Sequence, residues 1–435
     1  MHEPALPTGT RRLQVTWWSL YDLANTIYAA SLTYLFTPYF TERFESTGFA
    51  VRTWLGLTTT VSMVVSGLFT PLLGVICDRT GHARRYLVWS TLVNVAAMLA
   101  WGFGGPAWHV LAWLFVANFA YQTALLFYNA LLPSVAPPER HGLVSGIGTG
   151  VGYFGNIVLL VSLLVLQPPD FARVEPYLAG MGVAFLLFAL PCMLFVKDRR
   201  VIPAHVDGPL LRGSMRAMLA TLRDLEHHRA LLFFLLGNFF LVDVLNTAIQ
   251  FFGDYVKEVY ADRLAAGTLE LFGMPFRGGG AMIKFLGTLG LLWSLLAVVF
   301  GIALGAFTDR RPLGVMRCSG AALGLSLVGG AVFGGGDTTL FFLTLIVFAA
   351  VGLAGIWTAG RKLVLLLAPP ERVGEFFGLY GITVKISVIG STVYGVVADH
   401  HGPQAALLAQ MVQLLLGLGF LLLVRLPQPR HADAP

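Results

Sequence analysis

Charge is what this chain has least of. Only 12% of its 435 residues are Asp, Glu, Lys or Arg, against about 25% in soluble domains, so there are too few polar groups to clothe a water-soluble surface. Cysteine is scarce as well: Cys77, Cys192 and Cys318 stand alone, with no C-x-x-C or Cys/His pair, which argues against a disulfide framework and against a metal site. No G-x-x-x-x-G-K-[ST] stretch occurs, so direct ATP use is not expected. Neither an H-E-x-x-H pair nor a Ser/His/Asp arrangement is found. The expectation is a protein that is not an enzyme and uses no cofactor.

What the chain has instead is apolar length. Apolar residues make up 56% and the mean hydropathy is +0.73. Runs long enough to cross a bilayer lie at about 17–40, 54–77, 86–104, 108–132, 142–166, 176–196, 230–252, 283–307, 315–333, 338–367, 375–398 and 402–424. They far exceed the roughly 9–11 residues of a membrane β-strand and lack its alternation. The expected fold class is therefore an all-α polytopic membrane protein with twelve transmembrane helices and the lipid bilayer as its main partner. The net charge of +6 reads as topology, not as nucleic-acid binding. With an N-in start, most of the 29 lysines and arginines, among them Arg79, Arg84, Arg85, Arg310, Arg311 and Arg372, fall on one side. Both termini are thus expected in the cytoplasm, with the protein in the cell (inner) membrane.

The halves repeat each other. Ala136-Pro-Pro-Glu-Arg140 recurs as Ala368-Pro-Pro-Glu-Arg372, Gly74-x-x-x-Asp78-Arg79 as Gly305-x-x-x-Asp309-Arg310, and Asp22-x-x-Asn25 as Asp243-x-x-Asn246. Each copy falls in the matching place of its half. Two parallel, pseudo-symmetric six-helix halves are expected, at 1–197 and 230–435. Residues 198–229 would form a cytoplasmic linker carrying an amphipathic helix on the membrane surface.

Polar groups inside the spans are the candidate site. An Asp at a helix centre costs roughly 2.5–3.5 kcal/mol, so one that is kept usually meets a partner or a water-filled cavity. Asp22 and Asn25, with Tyr21 and Tyr28, sit at helical neighbour spacings; Asp243 and Asn246 repeat the pair, and Arg361 and Lys385 are the bases at membrane depth. All eight are expected around one central cavity that takes a small polar solute. The competing reading is interhelical hydrogen bonds that only fix packing, or an ion-pair network around Arg361.

Gly74-Val-Ile-Cys-Asp78-Arg79-Thr-Gly81-His-Ala-Arg84-Arg85 resembles the signature loop of the major facilitator superfamily, with His82 and Ala83 displacing the usual basic pair to Arg84 and Arg85. The copy at Gly305, with Asp309 and Arg310, has Pro312 in place of the second glycine. Tyr21-Asp-Leu-Ala-Asn25, Tyr128-Asn-Ala-Leu-Leu-Pro133 and Glu375-Phe-Phe-Gly-Leu-Tyr380 with Lys385 are similar to the vacuole-effluxer-like group, which includes the autophagy-related amino-acid exporter of fungi. The resemblance implies the major facilitator fold and a monomeric secondary transporter working by alternating access. It also implies an inner gate in which Asp78 faces the start of the eleventh span near Glu375, and suggests amino-acid efflux. Sugar, drug or organic-anion transport is the alternative within the class; a transporter-like sensor or scaffold acting through 198–229 is the alternative outside it. Proton coupling through Asp22 or Asp243, sensed by Lys385, is expected, against a facilitator in which both acids stay paired.

Overall fold

The computed structural model describes residues 8–48, 50–136, 141–166, 168, 170–198, 228–367 and 373–426. With almost no charge to spend on a surface, the chain satisfies its backbone by helices, the solution open to long apolar segments in lipid. We number the long ones α1 to α12. Helix α1 runs Thr8–Ser31, passes a π-helical turn at Leu32–Phe36 and continues over Thr37–Phe44. There follow α2 (Val51–Thr80), α3 (Ala83–Trp101), α4 (Ala107–Ala130), α5 (His141–Leu166) and α6 (Glu175–Phe195). The second set is α7 (Arg229–Val259), α8 (Ala281–Arg310), α9 (Pro312–Phe333), α10 (Thr338–Phe341, a π-helical turn at Phe342–Ile346, then Val347–Leu367), α11 (Val373–Ile386 and Ile389–His401) and α12 (Pro403–Leu423). Every expected span falls on one of these. Among the described residues, nine stretches are long and apolar enough to cross a membrane by length and composition alone.

Two departures matter. The eleventh span is not one helix: it breaks at Ser387–Val388. The linker's amphipathic helix was expected within 198–229, and residues 199–227 lie outside the described part of the chain.

Helices pack first within their own set. Helix α1 lies against α5 and α6, and α3 against α4 and α6; α7 lies against α12, and α9 against α10 and α12. Between the sets, α2 runs along α11, α5 meets α8, and the π-helical turn of α1 meets α7. Gly81 ends α2 in the left-handed conformation, with φ 65°, a backbone state that glycine adopts without the Cβ penalty.

Arg84, in the first turn of α3, donates from Nε to the carbonyl of Met193 at 2.9 Å and from Nη1 to that of Val196 at 3.4 Å, holding the end of α6. Arg317 does the same in the second set, reaching the Leu421 carbonyl at 2.8 Å near the end of α12. A cation placed on the negative end of a helix stabilises it, and the same device is used once in each set.

Candidate functional site

The two sets are pinned together at one end of the bundle. Arg52, at the first turn of α2 and only 5% exposed, donates from Nε to Asp254 of α7 at 2.7 Å. It also meets Glu258 of α7, Glu45 at 3.2 Å and Asp399 of α11 at 3.8 Å. Asp399 accepts the backbone amide of Thr53 at 2.8 Å, at the start of α2. Lys257 adds a second cation, 3.7 Å from Asp254 and 3.9 Å from Glu42. Asp254 is fully buried and has Thr41, Arg52 and Lys257 as its partners. Pairing of this density is what a carboxylate needs to stay in a dry interior.

Below this cluster a polar seam joins α2, α7 and α11. Thr60 donates to the Val388 carbonyl at 2.7 Å and lies 2.8 Å from the hydroxyl of Thr392. Gln250 of α7 bridges Thr59 at 2.8 Å and Ser391 at 2.8 Å. The backbones almost touch: a Cβ on Gly56 would collide with the Ser391 carbonyl, and one on Gly395 with that of Arg52. Towards the opposite end, where α2 meets α3 and α6 ends, the contact of α2 with α11 continues as far as Thr70 and Lys385. Gly74 of α2, Gly150 of α5, Gly301 and Gly305 of α8 and Gly381 of α11 have open space where a side chain would be.

Between the two ends lies a cavity of about 150 Å³. Its walls include Thr26, Thr33, Tyr34, Asn156, Trp293 and Ser294. The π-helical turn of α1 contains Thr33 and Tyr34, and Asn156 of α5 donates to Ser294 of α8 across the set boundary. Turns of this kind inside α-helices are frequent at functional sites.

The sequence-expected residues do not all converge there. Asp22 is half-buried one turn from Thr26, whose hydroxyl donates to the Asp22 carbonyl at 3.1 Å, and its carboxylate meets the Asn25 amide at 3.4 Å. Tyr21 is hydrogen-bonded to Thr91 at 2.6 Å and Tyr28 to Asn118 at 2.6 Å, so both hydroxyls are used within the first set of helices instead of facing the cavity. Asp243, expected beside Asp22, is 0% exposed and accepts the Gly390 amide with both oxygens, at 2.9 and 3.0 Å. Asn246 donates to the Ser387 carbonyl at 3.1 Å. The second Asp-x-x-Asn pair therefore clasps the two free ends at the break in α11, because a helix interrupted in a dry interior must have its loose amide and carbonyl satisfied.

Lys385 makes no ion pair with either acid. Its ammonium donates to Thr70 of α2 at 3.0 Å. Arg361 is exposed and reaches the Trp357 carbonyl of its own helix at 3.4 Å.

Of the gate residues, Gly74 has no described atom where a Cβ would reach, Gly81 ends α2, Arg84 clamps α6, and Arg85 and Arg310 are exposed. The side chains of Asp78, Arg79 and Asp309, and that of Glu375, lie outside the described residues. Sequence reasoning missed the Arg52 cluster, which it counted as loop charge. The available signal was the acid spacing Glu42, Glu45 and Asp254, Glu258 at the ends of the first and seventh spans.

A family profile described as vacuole effluxer Atg22 like matches residues 43–142 and 138–433. The chain belongs to that family. An uncharacterized MFS-type transporter of Bacillus subtilis (strain 168), YxiO, is 26% identical over 433 residues, spanning 96% of this chain and 95% of the relative. Autophagy-related protein 22 of Kluyveromyces lactis is 24% identical over 359 residues, 74% of this chain and 68% of the fungal one. Among solved structures, a mutant of the nucleoside transporter NupG superposes with a TM-score of 0.76 at 15% identity, covering 95% of this chain and all of that one. The fold is that of the major facilitator transporters, and the relatives and neighbours are transporters, not enzymes.

Proposed function

We propose that this protein is a secondary transporter that moves a small polar solute across the membrane by alternating access between its two six-helix halves, 1–197 and 230–435, joined by 198–229. The observation that carries the reading is the contrast between the ends. One is sealed by Arg52 on Asp254 and by backbone contact of α2 with α11, while at the other no described atom stands where a side chain on Gly74 or Gly381 of those helices would be. The cavity lies between them. With the termini in the cytoplasm, as the lysine and arginine bias indicates, this is an inward-open state of a carrier whose other state opens the Arg52 end.

The solute has polar groups for Asn156, Ser294 and Tyr34 and an apolar part for Trp293. The reading is amino-acid efflux in an inner membrane, by a monomer, with the family's description as an effluxer in support of the direction; a sugar, drug or organic anion is the alternative within the class. Proton coupling runs through Asp22 or Asp243. A sensor or scaffold working through 198–229 is the alternative outside the class.

The test has two steps. A thermal-shift screen of the purified protein against amino acids, sugars and organic acids should identify a stabilising solute. Proteoliposomes should then take that solute up downhill, and accumulate it under an imposed pH gradient. Coupling through these acids is wrong if Asp22→Asn and Asp243→Asn both still accumulate solute on the gradient. The transport reading is wrong if no solute stabilises the protein or crosses the membrane while replacement of 198–229 abolishes its cellular effect.

A further inference from the structure

The two repeat-related acids are not equivalent, and the difference points to a ligand. Asp243 has its charge met by the protein: the break at Ser387–Val388 frees the amide of Gly390, and both carboxylate oxygens take it. Asp22 has no such partner. Helix α5, which covers it, runs unbroken from His141 to Leu166 and offers no free amide. Among the described residues no cation forms an ion pair with Asp22; its one side-chain partner is the Asn25 amide, at the long distance of 3.4 Å.

Around it are further oxygens without partners. The Asn25 Oδ1 atom is buried and accepts nothing from the described residues. The Tyr128 hydroxyl, on a residue only 2% exposed, also makes no hydrogen bond among the described residues. Both Tyr128 and Asp22 border the notch left by the missing side chain of Gly148, where a Cβ would stand 3.2 Å from the phenol oxygen and 3.4 Å from Asp22 Oδ2. The phenol is fixed in place. Its ring is stacked between Trp18, at 4.4 Å, and Tyr21, at 5.1 Å.

A buried hydroxyl and a buried amide oxygen left unsatisfied each keep the cost of their desolvation, so two of them beside an unpaired carboxylate make a site waiting for a donor or a charge. We infer that Asp22, Asn25 and Tyr128 form a binding site for a small monovalent cation, either the primary ammonium group of the solute or an alkali metal ion. A carboxylate, an amide oxygen and a phenol oxygen suit both, since an ammonium can donate to three acceptors and a hard cation takes oxygen ligands. The site lies one helical turn from Thr26 in the cavity wall, so a cation held there is adjacent to a solute in the cavity. Its role in transport rests on the transporter reading; its existence does not.

Trp18 provides the readout, because its ring touches the Gly148 notch and stacks on Tyr128. The full-length protein in detergent is titrated at constant ionic strength with sodium chloride, methylammonium chloride or choline chloride, following tryptophan fluorescence and thermal stability. A saturable response to sodium or to methylammonium, but not to choline, is expected. Saturation by sodium alone identifies a metal-ion site, and saturation by methylammonium identifies an ammonium site. Asp22→Asn should abolish the response, and Tyr128→Phe should weaken it roughly tenfold through loss of one hydrogen bond to a charged group. Trp18→Phe should remove the fluorescence change while the thermal shift persists, and Asp262→Asn, an exposed acid outside the site, should change neither. If Asp22→Asn does not fold, Gly148→Ala, which fills the notch, replaces it. No saturable response to either cation, or an equal response after Asp22→Asn or Gly148→Ala, overturns the site. Cation binding without uptake of any solute would instead sink the transporter reading and leave the site standing.

Discussion

Asp243 holds the amide of Gly390 between its two carboxylate oxygens, 147 positions away in the chain. The contact joins α7 to the second piece of α11, and Asp243 is fully buried there. It is a helix cap made by a distant residue. Losing a cap of this kind costs about 0.5–2 kcal/mol. Asp243→Ala should therefore lower the midpoint of thermal unfolding in detergent clearly, and Asp243→Asn, which keeps one acceptor, should lower it less. Equal midpoints for the Ala variant and the wild type would show that the break in α11 does not depend on this carboxylate.

Arg52 is the cation that three helices share at the sealed end. Removing it leaves Asp254 buried with Lys257 at 3.7 Å as its remaining cation. Breaking a buried pair from one side costs about 3 kcal/mol or more, equivalent to a shift of over a hundredfold in a two-state balance. In Arg52→Ala, a cysteine placed at Thr33 in the cavity wall should become far more reactive towards a membrane-impermeant maleimide added from the Arg52 side. Unchanged labelling would mean that the backbone contacts of α2 and α11 seal this end without the ion cluster.

The number and order of helices were legible because bilayer length is a coarse quantity that composition alone reveals. The repeat was legible too, yet it misled over the site. Asp22-x-x-Asn25 and Asp243-x-x-Asn246 read alike, and only the break at Ser387–Val388, which no proline or run of glycines marks, separates a clasped acid from an unpaired one. Lys385 was expected at membrane depth, but depth does not say which way a side chain turns, and it turns to Thr70. Arg52 looked like loop charge because its partners, Asp254 and Asp399, are hundreds of residues away. A sequence shows spacing along one helix; the partners of Arg52 are fixed by packing between helices.

The paired clamps give a test of the repeat itself. Arg84 and Arg317 each hold the carboxyl end of the last helix of their set. A cation at a helix C-terminus contributes about 0.3–1 kcal/mol, more when partly buried. Arg84→Ala and Arg317→Ala should each lower thermal stability modestly. The sites are far apart in the chain and share no partner, so the double variant should show the sum of the two losses. A double loss much smaller or larger than that sum would mean that the two ends are coupled, and that the clamps are not independent copies of one device.

The glycines of α2 separate the two states of the proposed cycle. At Gly56 the backbone of α11 is so close that a Cβ would strike the Ser391 carbonyl, whereas a Cβ at Gly74 would meet nothing. Gly56→Ala must push α2 and α11 apart at the sealed end. It should lower the stability of the observed state, raise labelling of Thr33→Cys from the Arg52 side, and slow transport. Gly74→Ala should leave this state untouched and, by the helix propensity of alanine over glycine, stabilise it by up to about 1 kcal/mol. If the halves rock, however, Gly74 enters a close contact in the other state. Gly74→Ala should then cut transport severalfold while raising the unfolding midpoint, and should reduce labelling of Thr33→Cys from the Arg52 side below the wild-type level. A Gly74→Ala protein that is more stable and transports normally would show that α2 and α11 never close at that end, and the alternating-access cycle proposed for this chain would be wrong.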